Sequence, residues 1–281
     1  MKTAAQWKAF YDAEREALGE RGLRERLERA TDVGLPAGGA LVFPHTRMTA
    51  TGDFTAAVAR AVVKSGADEV LALGVLHGGR EEDTERVRLA KAGGETERAA
   101  LRRVHAGEDA LCAEEFSLDG FAAMLALAAS DAGRRTPRVV ARYPFLVGDD
   151  PDIDGMEDLA KLAATMPVVA TTDPLHHGAG YGTPEGSLRS EDDPATLAWA
   201  RATIGRQLDC LSTRDWSPFF HLAADVRSDF RDTGPTLFHL LGKSASPRGE
   251  IVELRLVDYS DVLAAARPTW VAGPLMRVSP A

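Results

Sequence analysis

Four of the seven histidines in this 281-residue sequence fall where an α/β protein presents side chains to a ligand. His45 follows the apolar run Ala40-Leu-Val-Phe43 by two positions, and His77 lies three residues past the run that ends at Gly74. His176 and His177 come just after Thr171-Thr172-Asp173. In an open parallel sheet the carboxyl ends of the strands share one edge, and ligands bind there. Neutral imidazole is the commonest transition-metal ligand, and a carboxylate such as Asp173 can accept an imidazole N–H or take part in proton transfer. Any one of these histidines could simply close a strand or sit in a solvated loop. Together, at three successive strand ends, they point to a metal site. His105, His221 and His239 lie in a charged stretch and in helical stretches, and read as structural or surface groups.

Other chemistries lack their residues. No GxGxxG follows the first apolar run, and Gly242-Lys243-Ser244 lacks the preceding glycine of a phosphate-binding loop, so nucleotide binding is not supported. GxSxG and HExxH are both absent. Cys112 and Cys210 have no partner at metal or redox spacing and read as inert, buried thiols. A net charge of −9 gives no basic footprint for nucleic acid or an anionic membrane surface. The longest uncharged apolar stretch, residues 121–129, is far shorter than the roughly 18 residues that span a bilayer, so a soluble protein is expected. Asp12, Glu14, Glu16 and Glu20 are unlike a secretory or organelle-targeting segment, which makes the cytoplasm the expected compartment.

The histidines need a frame to bring them together. With 44% apolar and 27% charged residues the chain can bury a core, and its length suits one large α/β domain. Residues 3–30 read as a surface helix broken near Gly19 and Gly22, giving an N-terminal helical extension over 1–35. Beyond it, over 36–281, apolar runs at 40–43, 69–74, 138–147 and 167–172 alternate with helical stretches, one starting at Gly52-Asp53, others over 119–131 and 155–164. That alternation predicts βαβ units: a single-domain, three-layer α/β sandwich around a mostly parallel sheet. The charged residues 80–106 read as an insertion or short hairpin. Residues 173–193 read as a long glycine-rich loop, a place where function concentrates. Helices over 194–211, 217–224 and 237–241 and strands over 250–257 and 269–278 complete the chain.

The order of short motifs resembles the MEMO family, itself related to the class III extradiol (LigB-type) dioxygenases. The resemblance rests on Pro44-His45, Leu73-Gly-Val-Leu-His77, Ala113-Glu-Glu-Phe-Ser-Leu-Asp119, Pro144-Phe-Leu-Val-Gly148 and Thr171-Thr-Asp-Pro-Leu-His176, and spans residues 40–278. It implies that His45 and His77 are metal ligands and that Asp173 and His176 line the same pocket. A later cysteine or glutamate supplies the third ligand in such proteins. Here the corresponding stretch is Asp232-Thr233-Gly234, and ungapped counting from Leu240-Leu241 puts Asp232 at that place, whereas aligning the glycines would put Thr233 there. Asp232 is the better donor, since two histidines and a carboxylate form the facial triad of non-haem iron oxygenases. The chain departs from the MEMO pattern in having Thr46-Arg47-Met48 after His45 and Phe116 where a histidine is usual.

What the resemblance implies is a metal-dependent oxygenase acting with dioxygen on a small catecholic or aminophenolic substrate. Fe(II) is the expected cofactor, with copper or zinc as alternatives. His176, oriented by Asp173, would be the acid/base, while Arg47, His177 and Tyr181 are candidates for substrate contacts. A MEMO-like metal-binding redox or partner-binding protein without turnover stays open, as do a metal-assisted hydrolase or lyase and assembly into a homo-oligomer.

Overall fold

The protein is described by a computed structural model covering residues 3–77, 83–242 and 246–280. Thr3 and Gln6 cap each other's backbone N–H at the start of α1 (Ala4–Arg29), which bends at Gly19, where φ is 56°. Then come β1 (Ala40–Phe43), α2 (Met48–Ser65), β2 (Glu69–Leu73), α3 (Thr84–Lys91), α4 (Glu95–Leu101), β3 (Arg103–Ala106), α5 (Asp119–Asp131) and β4 (Arg138–Phe145). The second half holds α6 (Met156–Ala163), β5 (Val168–Thr171), β6 (Leu175–Gly178), α7 (Pro194–Thr213), α8 (Trp216–Asp225), α9 (Phe230–Leu241), β7 (Pro247–Asp258), α10 (Ser260–Leu263) and β8 (Thr269–Pro280).

These elements form the expected three-layer α/β sandwich. The eight-stranded sheet runs β3-β4-β2-β5-β1-β8-β6, with β7 along the other side of β8. Its centre, β4-β2-β5-β1, is parallel; β3, β8, β6 and β7 pair antiparallel. Alternation along the strands divides the core in two. Leu41, Phe43, Val70, Ala72 and Val169 pack under α2 and α5, while Val42, Leu71, Leu73, Val168 and Ala170 pack under α6, α7 and α9. Each such valine, leucine or phenylalanine side chain, fully buried, contributes about 1.5–3 kcal/mol. The connection from β1 to β2 passes over the place that β5 later fills. Loops leaving β1, β2 and β5 therefore start from neighbouring strand ends and part around a crevice, where the histidines lie.

Several boundaries differ from the sequence reading. Helix α2 starts at Met48, because the Glu14 carboxylate on α1 accepts the Met48 N–H and the Thr49 hydroxyl. Residues 83–106 form two short helices and an edge strand on β4, in place of a hairpin. The long loop contains β6, which pairs with β8 and fixes His176 in the sheet. Helix α1 packs on α2 and α5. Among the described residues, no helix is long and apolar enough to cross a membrane.

Strand β6 ends at Gly178, where φ is 112° and a Cβ would meet the Pro268 carbonyl oxygen at 2.1 Å. Both are backbone constraints that cannot relax locally. Gly178→Ala is expected to lower unfolding free energy in urea by about 3 kcal/mol or more; a loss below about 1 kcal/mol would mean that the β6–β8 edge is not packed as described.

Candidate metal centre

Two residues past β1, the His45 ring is buried with Nδ1 3.2 Å from the Thr171 hydroxyl oxygen. That hydroxyl already donates to the Phe43 carbonyl at 3.0 Å, so it accepts from His45. The ring is thereby held as a donor at Nδ1, and Nε2 faces the crevice, 3.5 Å from Asp229 Oδ2 and 3.7 Å from Asp173 Oδ2. His77 is fixed from behind by Glu115, whose carboxylate accepts its Nδ1–H at 3.0 Å and its backbone N–H at 2.7 Å. Glu115 also accepts the N–H groups of Phe116 and Ser117. Burial opposes its charge, but His77 and these N–H donors outweigh it and hold the carboxyl below its ordinary range. Phe116 stacks on the His77 ring at 4.4 Å, and His77 Nε2 lies 3.9 Å from Asp229 Oδ2. His176 donates from Nδ1 to the Arg227 carbonyl at 2.6 Å, leaving Nε2 3.5 Å from the same Asp229 oxygen.

Three imidazoles thus have Nδ1 committed to a protein acceptor and Nε2 turned toward one carboxylate oxygen. Such outer partners are what orient histidine as a metal ligand. His45, His77 and Asp229 offer ligand atoms that all lie within 4.8 Å of one another. Two imidazoles and a carboxylate suit a divalent transition metal. The electrostatics agree with this fit. Burial disfavours a charged His45, but Asp173, Asp229 and Glu115 outweigh it, and its pKa is pushed up to about 9. Burial likewise opposes a charged Asp229, yet His176, His45 and His77 hold its carboxyl well below the usual range. Asp173 goes the other way: burial raises its pKa despite the imidazoles, and its Oδ1 has no hydrogen-bond partner. The crevice favours a positive charge in front of the His45 Nε2.

The carboxylate brought to the imidazoles is Asp229, not Asp232. Helix α9 starts at Phe230, so the aspartate at its head is Asp229, one turn before Asp232; Pro235 lies inside the helix. Asp232 is buried and turned toward the loop after β4, where Oδ1 accepts the Val147 N–H at 2.9 Å. Thr233 is turned away as well, its hydroxyl donating to the Thr171 carbonyl. Arg47 is engaged by Glu14 and Asp261. His177 points to the opposite side of β6 from His176, packs on Trp199 and Trp270, and accepts the Arg189 N–H at Nε2. Tyr181 lies edge-on to His176 with centroids 4.9 Å apart. The Arg227 carbonyl, rather than Asp173, orients His176. Two residues without a sequence motif also reach this region. Tyr11 of α1 stacks on Phe116 and shares a 2.7 Å hydrogen bond with Tyr259, which is bonded in turn to Thr46. Cys112 is buried, and its thiol is pushed up to about 12 by burial and nearby acids, as suits an inert group. No protein-family model and no curated protein matches this chain.

Purified His45→Ala, His77→Ala and Asp229→Ala are each expected to lose bound metal by elemental analysis, whereas Asp232→Ala keeps it. Retention in the Asp229 variant together with loss in the Asp232 variant would reverse the ligand choice. Metal must displace the proton that the acids favour on His45, so apparent affinity should rise about tenfold per pH unit and level off above the His45 pKa. The sign for the metal-free fold is opposite. A pKa raised from 6.5 to about 9 stabilises the fold below 6.5, and this is lost as pH rises through 9. A pH-independent metal affinity between 6.5 and 9 would contradict the placement of His45.

Proposed function

We propose that this chain is a metal-dependent oxygenase of the class III extradiol type, using dioxygen on a small catecholic or aminophenolic substrate. One observation carries the reading: two imidazoles and one carboxylate gathered at a crevice, with a third imidazole facing the same carboxylate from outside that set. His45, His77 and Asp229 would hold Fe(II), copper or zinc being the alternatives. Bound there, Fe(II) supplies open coordination positions for a chelating diol and for dioxygen. The resemblance of the motif order to MEMO and LigB-type proteins supports His45 and His77 as ligands, while Asp229 as the carboxylate rests on the geometry alone.

The remaining chemistry falls to the chain's own groups. With Nδ1 pinned to the Arg227 carbonyl, His176 can take up or return a substrate proton only at Nε2, the atom turned to the crevice. Asp173, buried beside His45, leaves one oxygen free to accept a hydrogen bond. Phe116, stacked between His77 and Tyr11, keeps water off one face of the centre.

Anaerobic loading with Fe(II), Zn(II) or Cu(II), followed by oxygen-electrode measurements on a panel of catechols and aminophenols, tests the proposal. Uptake is expected with iron alone. His176→Ala should keep its iron yet lose about 100-fold or more in rate, the ordinary worth of a general acid/base. Tight metal binding without uptake on any substrate would instead mean a metal-binding protein without turnover.

A further inference from the structure

A cavity of about 620 Å³ opens on the outer side of β6, walled by His176 and His177, the glycine-rich loop that follows and Arg227. It is large enough for a small organic ligand. Its lining contains two guanidinium groups, from Arg189 and Arg227, and one acid, Asp225. Neither arginine has an ion-pair partner among the described residues. The Arg189 guanidinium rests on the Trp199 ring at 5.0 Å, and that of Arg227 makes a single long contact, 3.5 Å, with the Gly182 carbonyl.

Two further features make the cavity a receiver of negative charge. His177 accepts the Arg189 N–H at Nε2, which leaves its proton on Nδ1 with no acceptor among the described residues. Thr183 and Ser187 add hydroxyls; the Thr183 oxygen accepts the Gly178 N–H, so its own proton is free to be donated outward. Two forked guanidiniums, an imidazole N–H and two hydroxyls provide more donors than one planar carboxylate can accept. They suit a tetrahedral dianion with three terminal oxygens.

We propose that this cavity binds the phosphate group of a phosphorylated small molecule, with Arg189 and Arg227 as its charge partners. The site is separate from the metal centre and does not depend on oxygenase activity. It shares only the His176–Arg227 wall, so an occupant would lie against the back of that imidazole.

Calorimetric titration of the purified protein with phenyl phosphate, benzoate and phenyltrimethylammonium tests the site, with metal content measured in parallel. Phenyl phosphate is expected to bind at one site per chain, benzoate at least tenfold more weakly, and the cation not at all. Arg189→Gln and Arg227→Gln should each weaken phenyl phosphate tenfold or more while metal content stays unchanged. Lys64→Gln, remote on α2 and paired with Asp32, should leave binding intact. Arg189 is exposed and its side chain's contact with the fold is the stacking on Trp199, so that variant stays informative even if a change at Arg227 disturbs folding. Equal binding of benzoate, no binding of phenyl phosphate at millimolar concentration, or indifference to the Arg189 change would each overturn the proposal.

Discussion

Everything in this crevice answers to the carboxylate of Asp229, faced by three imidazole nitrogens at distances of 3.5 to 3.9 Å. Even a partly buried carboxylate is costly unless positive charge is close by. Each ring's other nitrogen is already spoken for, by a threonine hydroxyl, a glutamate and a backbone carbonyl. The rings therefore cannot turn away to satisfy themselves elsewhere. The surrounding acids favour a proton on His45, and a divalent ion would meet the same demand more fully. The raised His45 pKa and the depressed Asp229 pKa are two expressions of that constraint.

The fold delivers these groups from far apart in sequence. Strands β1, β2 and β5 end side by side because β5 fills the gap that the β1–β2 crossover leaves. Asp229 comes from the opposite helical layer, at the head of α9, where it is not used as a cap; Ser228 accepts the Phe230 N–H instead. Helix α1 is more than an appendage, since its Glu14 sets the start of α2 and its Tyr11 packs over Phe116. Short antiparallel β6 places two adjacent histidines on opposite sides of the sheet. One side faces the crevice and the other the aromatic wall of the outer cavity.

Much of this was legible in the sequence. The continuous apolar strands and their helices gave the sandwich, because parallel strands buried on both faces leave an unmistakable pattern. His45, His77 and His176 were found by their place after such strands. Asp229 was not, for a local reason. Ungapped counting from Leu240-Leu241 to the third-ligand position of the resembling family lands on Asp232, one helical turn past Asp229. Helix α9 starts at Phe230, seven residues before the stretch legible as helical, and Pro235 lies within it. The role of Glu115 behind His77 and that of the Arg227 carbonyl behind His176 arise from tertiary contacts over 38 and 51 residues, beyond any local spacing rule. Strand β6 was missed because Leu175-His-His-Gly178 has no strand-forming pattern of its own; pairing with β8 makes it one.

The central claim is that one ion is gripped jointly by His45, His77 and Asp229. Anomalous diffraction from crystals loaded anaerobically with Fe(II) tests it most directly. The account requires a single strong peak in contact with Nε2 of both histidines and the Asp229 carboxylate. A peak at Asp232, or none between the two rings, would contradict it.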